Sequence, residues 1–119
     1  PAATALVRDN EHFRTLWGYA GNERRRLLLA LCDELAQEPD PVNFDLLELK
    51  LDKLGVPIRS GRVLSDDLVA LRELELIKYA DSPRGDNYRL AVPLMAKWLQ
   101  HNVDLKDIVA RARQETMEP

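Results

Sequence analysis

A single cysteine, Cys32, stands among the 119 residues. That excludes an intrachain disulfide and any zinc site built from several thiolates. Leu28, Leu31 and Leu35 surround it, so it reads as a small buried hydrophobe rather than a nucleophile. The two histidines, His12 and His101, lie far apart, with no HxxxH or HxxE spacing to hold a metal. Five glycines stand alone at turns, and no Gly-rich phosphate loop is present. No apolar run approaches the roughly 20 residues needed to cross a bilayer. The N-terminus lacks the basic start and apolar stretch of a signal peptide. Cytoplasmic residence is the resulting expectation. Ser60 and Ser65 have no nearby His and no nucleophile elbow. Asp66 and Asp67 are adjacent on a helix start, so they point about 100° apart and serve the helix dipole better than acid–base work. No catalytic residue, cofactor or metal ligand is expected, and the chain is not expected to be an enzyme in itself.

What is present is a leucine-rich, mildly acidic chain. Lys and Arg number 17 against 20 Asp and Glu, for a net charge of −3 and a pI near 5.4. Free-standing nucleic-acid-binding domains are commonly basic, so this balance weighs against DNA without excluding it. The length suits one domain with helical appendages. Pro1 in place of Met is read as the mark of a domain cut from a longer protein, with removal of an initiator Met before Pro as the alternative.

The chain is organised around residues 64–99. Leu64, Leu68, Leu71 and Leu74 fall on one helical stripe, which predicts a helix over 65–76 or slightly longer. Residues 76–80 are rich in β-formers. Ser82-Pro83-Arg84-Gly85-Asp86-Asn87 signals a turn. Tyr88, Leu90 and Val92 alternate on one face of a second strand. Pro93 then opens a new helix at its first position, where a missing N–H costs nothing. Upstream, Asn22 caps a helix over 23–37 with Leu27, Leu28, Leu31 and Leu35 inward. Asn43 caps another over 44–54, followed by Gly55 as its left-handed terminator. Helix, helix, helix, strand, turn, strand, helix is the layout of a winged helix: mainly α, with a small β-hairpin wing. Val56-Pro57-Ile58 is read as a short extended segment, at the position where a winged helix often holds a strand that joins the wing sheet. Three parts follow: a helical lead-in over 1–21, a winged-helix domain over 22–100, and a C-terminal helix with a frayed tail over 101–119. In the lead-in, Asp9 or Asn10 caps a short helix carrying Phe13, Leu16 and Trp17. That face either packs on the core or is a docking face for a neighbouring domain. Asp104 caps the last helix, with Leu105, Ile108, Val109 and Ala112 on one side.

In a DNA-reading helix-turn-helix the second helix of the motif enters the major groove. Here its outward side is expected to show Asp66, Asp67, Ala70 and Glu73. Over 65–76 it carries Arg72 against four carboxylates, and no Asn or Gln to read a base edge. Arg59 and Arg62 before it, with Lys78, Arg84 and Arg89 in the wing, are the candidate contacts to DNA or to a partner, together with Arg72. Arg24-Arg25-Arg26 spread over most of a helix circumference, so they are expected to form a solvated helix start rather than a phosphate clamp.

The string LRELELIKYADSPRGDNYRLAVPLMAKWLQ resembles the winged helix that follows the ATPase core in STAND-type and related AAA-type bacterial ATPases. Leu71, Leu74 and Ile77, then Tyr88, then Val92-Pro93-Leu94 and Trp98-Leu99 carry the resemblance. FRTLW and ERRRLLLAL upstream look like that group's lead-in, so it covers about residues 13–99. The family's nucleotide-sensing His, from a Met-His-Asp motif, has no counterpart near Val92-Pro93-Leu94, and its role is not carried over. The resemblance implies a regulatory domain packed against an ATPase. The leading expectation is therefore a non-catalytic accessory domain for protein–protein or interdomain contacts, with no membrane partner. The alternative is a DNA-binding transcriptional regulator. A homodimer through the terminal helices is a third possibility.

Overall fold

The computed structural model describes residues 11–37, 42–56, 58, 60–82 and 85–117. Asp9 and Asn10, Pro57, and the candidate contacts Arg59 and Arg84 lie outside them. The described residues form six helices and a two-stranded antiparallel sheet. In chain order these are α1 (Glu11–Tyr19), α2 (Glu23–Leu35), α3 (Phe44–Lys53), α4 (Gly61–Glu73), β1 (Ile77–Ser82), β2 (Gly85–Leu90), α5 (Pro93–Asn102) and α6 (Leu105–Met117).

Local chemistry sets most of these bounds. Asn22 Oδ1 accepts from the Arg25 N–H at 2.8 Å, and Asn43 Oδ1 from the Leu46 N–H at 2.8 Å, each satisfying an orphan donor of the first helical turn. Asp104 does the same for the Lys106 N–H at 3.1 Å. α3 ends in a Schellman motif: Val56 N–H reaches Leu51 O at 2.9 Å and Gly55 N–H reaches Asp52 O at 3.0 Å, with Gly55 at φ 79°. α4 ends the same way, through Leu76 N–H to Leu71 O at 3.0 Å and Glu75 N–H to Arg72 O at 2.9 Å. There the left-handed position is Glu75, at φ 60°.

Two expectations about the sheet change. The strands run to Ser82 and resume at Gly85, pairing Ile77 with Leu90 through Ser82 with Gly85, so the hairpin is longer than the turn signal implied. Val56 and Ile58 stay outside the sheet, because the Val56 N–H is committed to closing α3. Val42 takes the place beside β2 instead. Its C=O accepts from the Tyr88 N–H at 2.8 Å, and its N–H donates to Asn87 Oδ1 at 3.0 Å. Asn87 is buried, and its side chain stands in for a backbone carbonyl.

One buried cluster runs through all the helices, from Phe13 of α1 to Ile108, Val109 and Ala112 of α6. α2 is its axis and packs against α4, α5, α6 and β2. Trp17 of α1 and Trp98 of α5 meet with ring centroids 6.0 Å apart. Leu16 and Trp17 are half-buried on the core. The Phe13/Leu16/Trp17 face is thus turned onto the chain's own interior. Ile108 and Val109 are buried as well, so the terminal-helix stripe is not available to a second copy. Among the described residues no helix is long and apolar enough to cross a membrane.

Candidate docking groove and the ion-pair node behind it

The stripe that faces the core on α4 is Leu64, Asp67, Leu68 and Leu71. Asp67, expected on the outer side, is only 1% exposed. The arginine run supplies the reason. Arg24 binds Asp67 with two nitrogens, Nε and Nη2, the latter at 3.1 Å from Oδ1. Arg25 Nε reaches Oδ1 at 2.9 Å. Two guanidiniums therefore neutralise one buried carboxylate, as burial of a charge requires. The Arg24 guanidinium is held above its ordinary pKa chiefly by its hydrogen bonds to Asp67; burial opposes this, and the charges of Asp67 and Glu115 add to it. Arg26 turns the other way. It pairs with Glu23 and donates to the Trp17 carbonyl at 3.1 Å, closing the C-terminal end of α1. None of the three is a solvated helix start. Each is largely covered and ties α2 to a neighbour.

α6 completes this node. Glu115 Oε2 accepts from the Glu23 N–H at 2.9 Å, placing a carboxylate at the positive end of α2. Arg113 Nε donates to Leu54 O at 2.7 Å, placing a cation at the negative end of α3. A Cβ at position 55 would stand 2.8 Å from Arg113 Nε, so Gly55 serves both the backbone turn and this contact.

With Asp67 turned inward, the outer face of α4 shows Arg62, Ser65, Asp66, Val69, Arg72 and Glu73. Arg62 stands 4.0 Å from Asp66, both well exposed, a surface pair of little energetic weight. Val69 is 46% exposed in the middle of this polar face. It looks into an open groove of about 850 Å³ between α4 and β1. Ile77, Lys78 and Tyr79 form one wall; Arg72, Glu73 and Glu75 form the other; Ala91 and Val92 close the end. The Arg72 guanidinium lies 4.9 Å from the Tyr79 ring centroid, over its face. Tyr79 in turn packs edge-on against Tyr88 at 5.1 Å. Tyr79 and Val92 are 37% and 38% exposed. Leu74, expected on the buried stripe, is exposed too, because the helix ends there and Leu76 turns inward in its place.

The structure therefore brings Arg72 and Lys78 together on one groove and leaves Arg62 at the far end of α4. Lys78 stands directly across the hairpin from exposed Arg89. Sequence reasoning missed Val69, Tyr79 and Val92. The signal was there for Val69: an aliphatic side chain at i+3 from Asp66 and i+4 from Ser65 belongs to the polar face. Among the described residues no group of three or more His, Cys, Asp or Glu could hold a metal ion. Cys32 is fully buried and its thiol is pushed up to about 12 by desolvation, with Asp33 adding to the shift. Comparison with protein-family models, with curated proteins and with solved structures finds no match.

Proposed function

We propose that this chain is a non-catalytic winged-helix module, cytoplasmic and part of a larger ATPase or regulator, that binds a protein surface through the groove between α4 and β1. The observation that carries the reading is the groove itself. Exposed apolar side chains from α4, from β1 and from the connection before α5, Val69, Tyr79 and Val92, converge on one concavity lined also by charged residues. An apolar centre ringed by polar groups is the anatomy of a protein contact. The order of the elements and the seat of Val42 beside β2 support the winged-helix reading. Full burial of the lone thiol supports a non-catalytic role.

A second reading, a DNA-binding module, is favoured by one observation. Lys78 and Arg89 stand opposite each other on the hairpin, and among the described residues neither has a carboxylate within 4.0 Å. Against it, the outer face of α4 offers Val69 at its centre, Glu73 in its last turn and no amide side chain to read a base.

Two measurements separate the readings. A photoreactive benzoylphenylalanine at position 69 is expected to give a light-dependent adduct with protein in the native host, and the same group at exposed Glu48 is not. Labelled duplex DNA titrated at about 50 and 200 mM salt is expected to show no micromolar binding; binding that collapses with salt would establish several phosphate contacts. Equal labelling at 69 and 48, or salt-sensitive DNA binding, refutes the protein-docking reading.

A further inference from the structure

We propose that the occupant of the α4–β1 groove is a second copy of this chain, related by a two-fold axis; this rests on the groove being a protein-docking surface. The argument is one of self-complementarity. In a two-fold contact the same patch lies on both sides, so a patch of one sign repels itself, whereas a patch carrying both signs around an apolar centre matches itself. The groove has that composition. Its cations are Arg72 and Lys78 and its carboxylates are Glu73 and Glu75.

Among the described residues none of these four lies within 4.0 Å of an opposite charge. Glu73 occupies the last turn of α4, and Glu75 follows the helix end. Two carboxylates there face the negative end of the helix dipole, an arrangement that is unfavourable in the monomer. A second copy relieves both defects together, setting its Arg72 and Lys78 against Glu73 and Glu75 while Val69 and Val92 cover their counterparts. Outside the groove, exposed Tyr19, Leu49 and Leu94 stand on three different helices, whereas Phe13, Ile108 and Val109 are buried in the chain's own core. The groove is where several exposed apolar side chains, Val69, Tyr79 and Val92, meet charges of both signs.

The test is sedimentation equilibrium of the full chain, with circular dichroism to verify folding of every variant. The wild type is expected to dimerise with a Kd of order 10–100 μM, suited to a small, mixed-charge contact. The all-acid variant Arg72→Glu/Lys78→Glu and the all-basic variant Glu73→Lys/Glu75→Lys are each expected to raise Kd about tenfold or more. Mixing the two is expected to restore association as a heterodimer. A wild type that is monomeric at about 0.5 mM overturns the inference. So does a dimer that both charge variants leave unchanged. The adduct at position 69 distinguishes this failure from that of the docking reading. Twice the 13.6 kDa chain mass identifies a second copy. An adduct of another mass refutes the dimer while keeping the groove as a docking surface. No adduct refutes both.

Discussion

Replacing Asp67 by Asn removes one negative charge from a site where two arginines converge, and nearly preserves shape. Removing one partner of a fully buried ion pair typically costs about 3–5 kcal/mol, because the surviving charge is stranded. Two features lower the figure here. The Arg24 and Arg25 side chains keep 22% and 28% of their exposure, so water can reach the stranded cations. The Asn carbonyl can still accept one N–H, while its amide turns a donor toward the other guanidinium. We expect a loss of about 2–3 kcal/mol for Asp67→Asn, and more for Asp67→Ala. Arg24→Ala alone is expected to cost less, about 1–2 kcal/mol, since Arg25 still reaches the carboxylate. In the Asp67→Ala background Arg24→Ala becomes nearly neutral, because it then removes an uncompensated cation. Urea unfolding followed by far-ultraviolet circular dichroism, with the m-value held constant, measures all four corners of the cycle. An Asp67→Asn loss under about 0.5 kcal/mol, or additive effects of Arg24→Ala and Asp67→Ala, would refute the claim that this node holds α4 to α2.

Three further outcomes follow from the same contacts. Glu75→Gly is expected to stabilise the fold by about 0.5–1 kcal/mol in urea unfolding, since Gly adopts φ 60° without the Cβ penalty. Glu115→Gln is expected to cost about 1 kcal/mol in the same assay, by weakening a charged cap at the start of α2. Cys32 is protonated when folded up to about pH 12 but ionises near 8.5–9 when unfolded. Below that lower value it contributes no pH dependence. Above it the unfolded chain loses a proton that the native chain keeps, so stability falls as pH rises from about 9 to 12. The stability of Cys32→Ala, measured over the same range, is expected to lack this component.

Elements set by short-range rules were legible from the chain alone. The caps at Asn22, Asn43 and Asp104, the terminator Gly55 and the N1 proline Pro93 each act within one turn, and each lies where those rules put it. Features that depend on partners distant in sequence were not. An aspartate on a helix reads as solvent-facing until two arginines more than 40 positions upstream are known to reach it. The inward turn of Asp67 shifts the buried stripe, and that shift leaves Val69 outside. Val42 beside β2 was illegible for the same reason: it depends on Asn87, 45 positions away, aiming a side-chain oxygen at its N–H. α4 also begins at Gly61, a turn before the expected start at residue 65, and it follows Ser60, whose side chain makes no capping bond. The groove belongs with these. None of its walls is unusual in sequence, and only folding sets Val69, Tyr79 and Val92 side by side.

The clasp formed by α6 bears on how the molecule is made. α2 emerges before α6 in synthesis, yet the carboxylate that closes its first turn is 92 positions further on, and the helix it packs against most extensively is α6. α3 waits on the same helix for the cation at its C-terminal end. Until those last turns leave the ribosome, the leucines of α2 that meet α6 stay open to solvent and to chaperones. A nascent chain halted before residue 105 is therefore expected to be protease-sensitive throughout α2, and its protection to arrive in one late step.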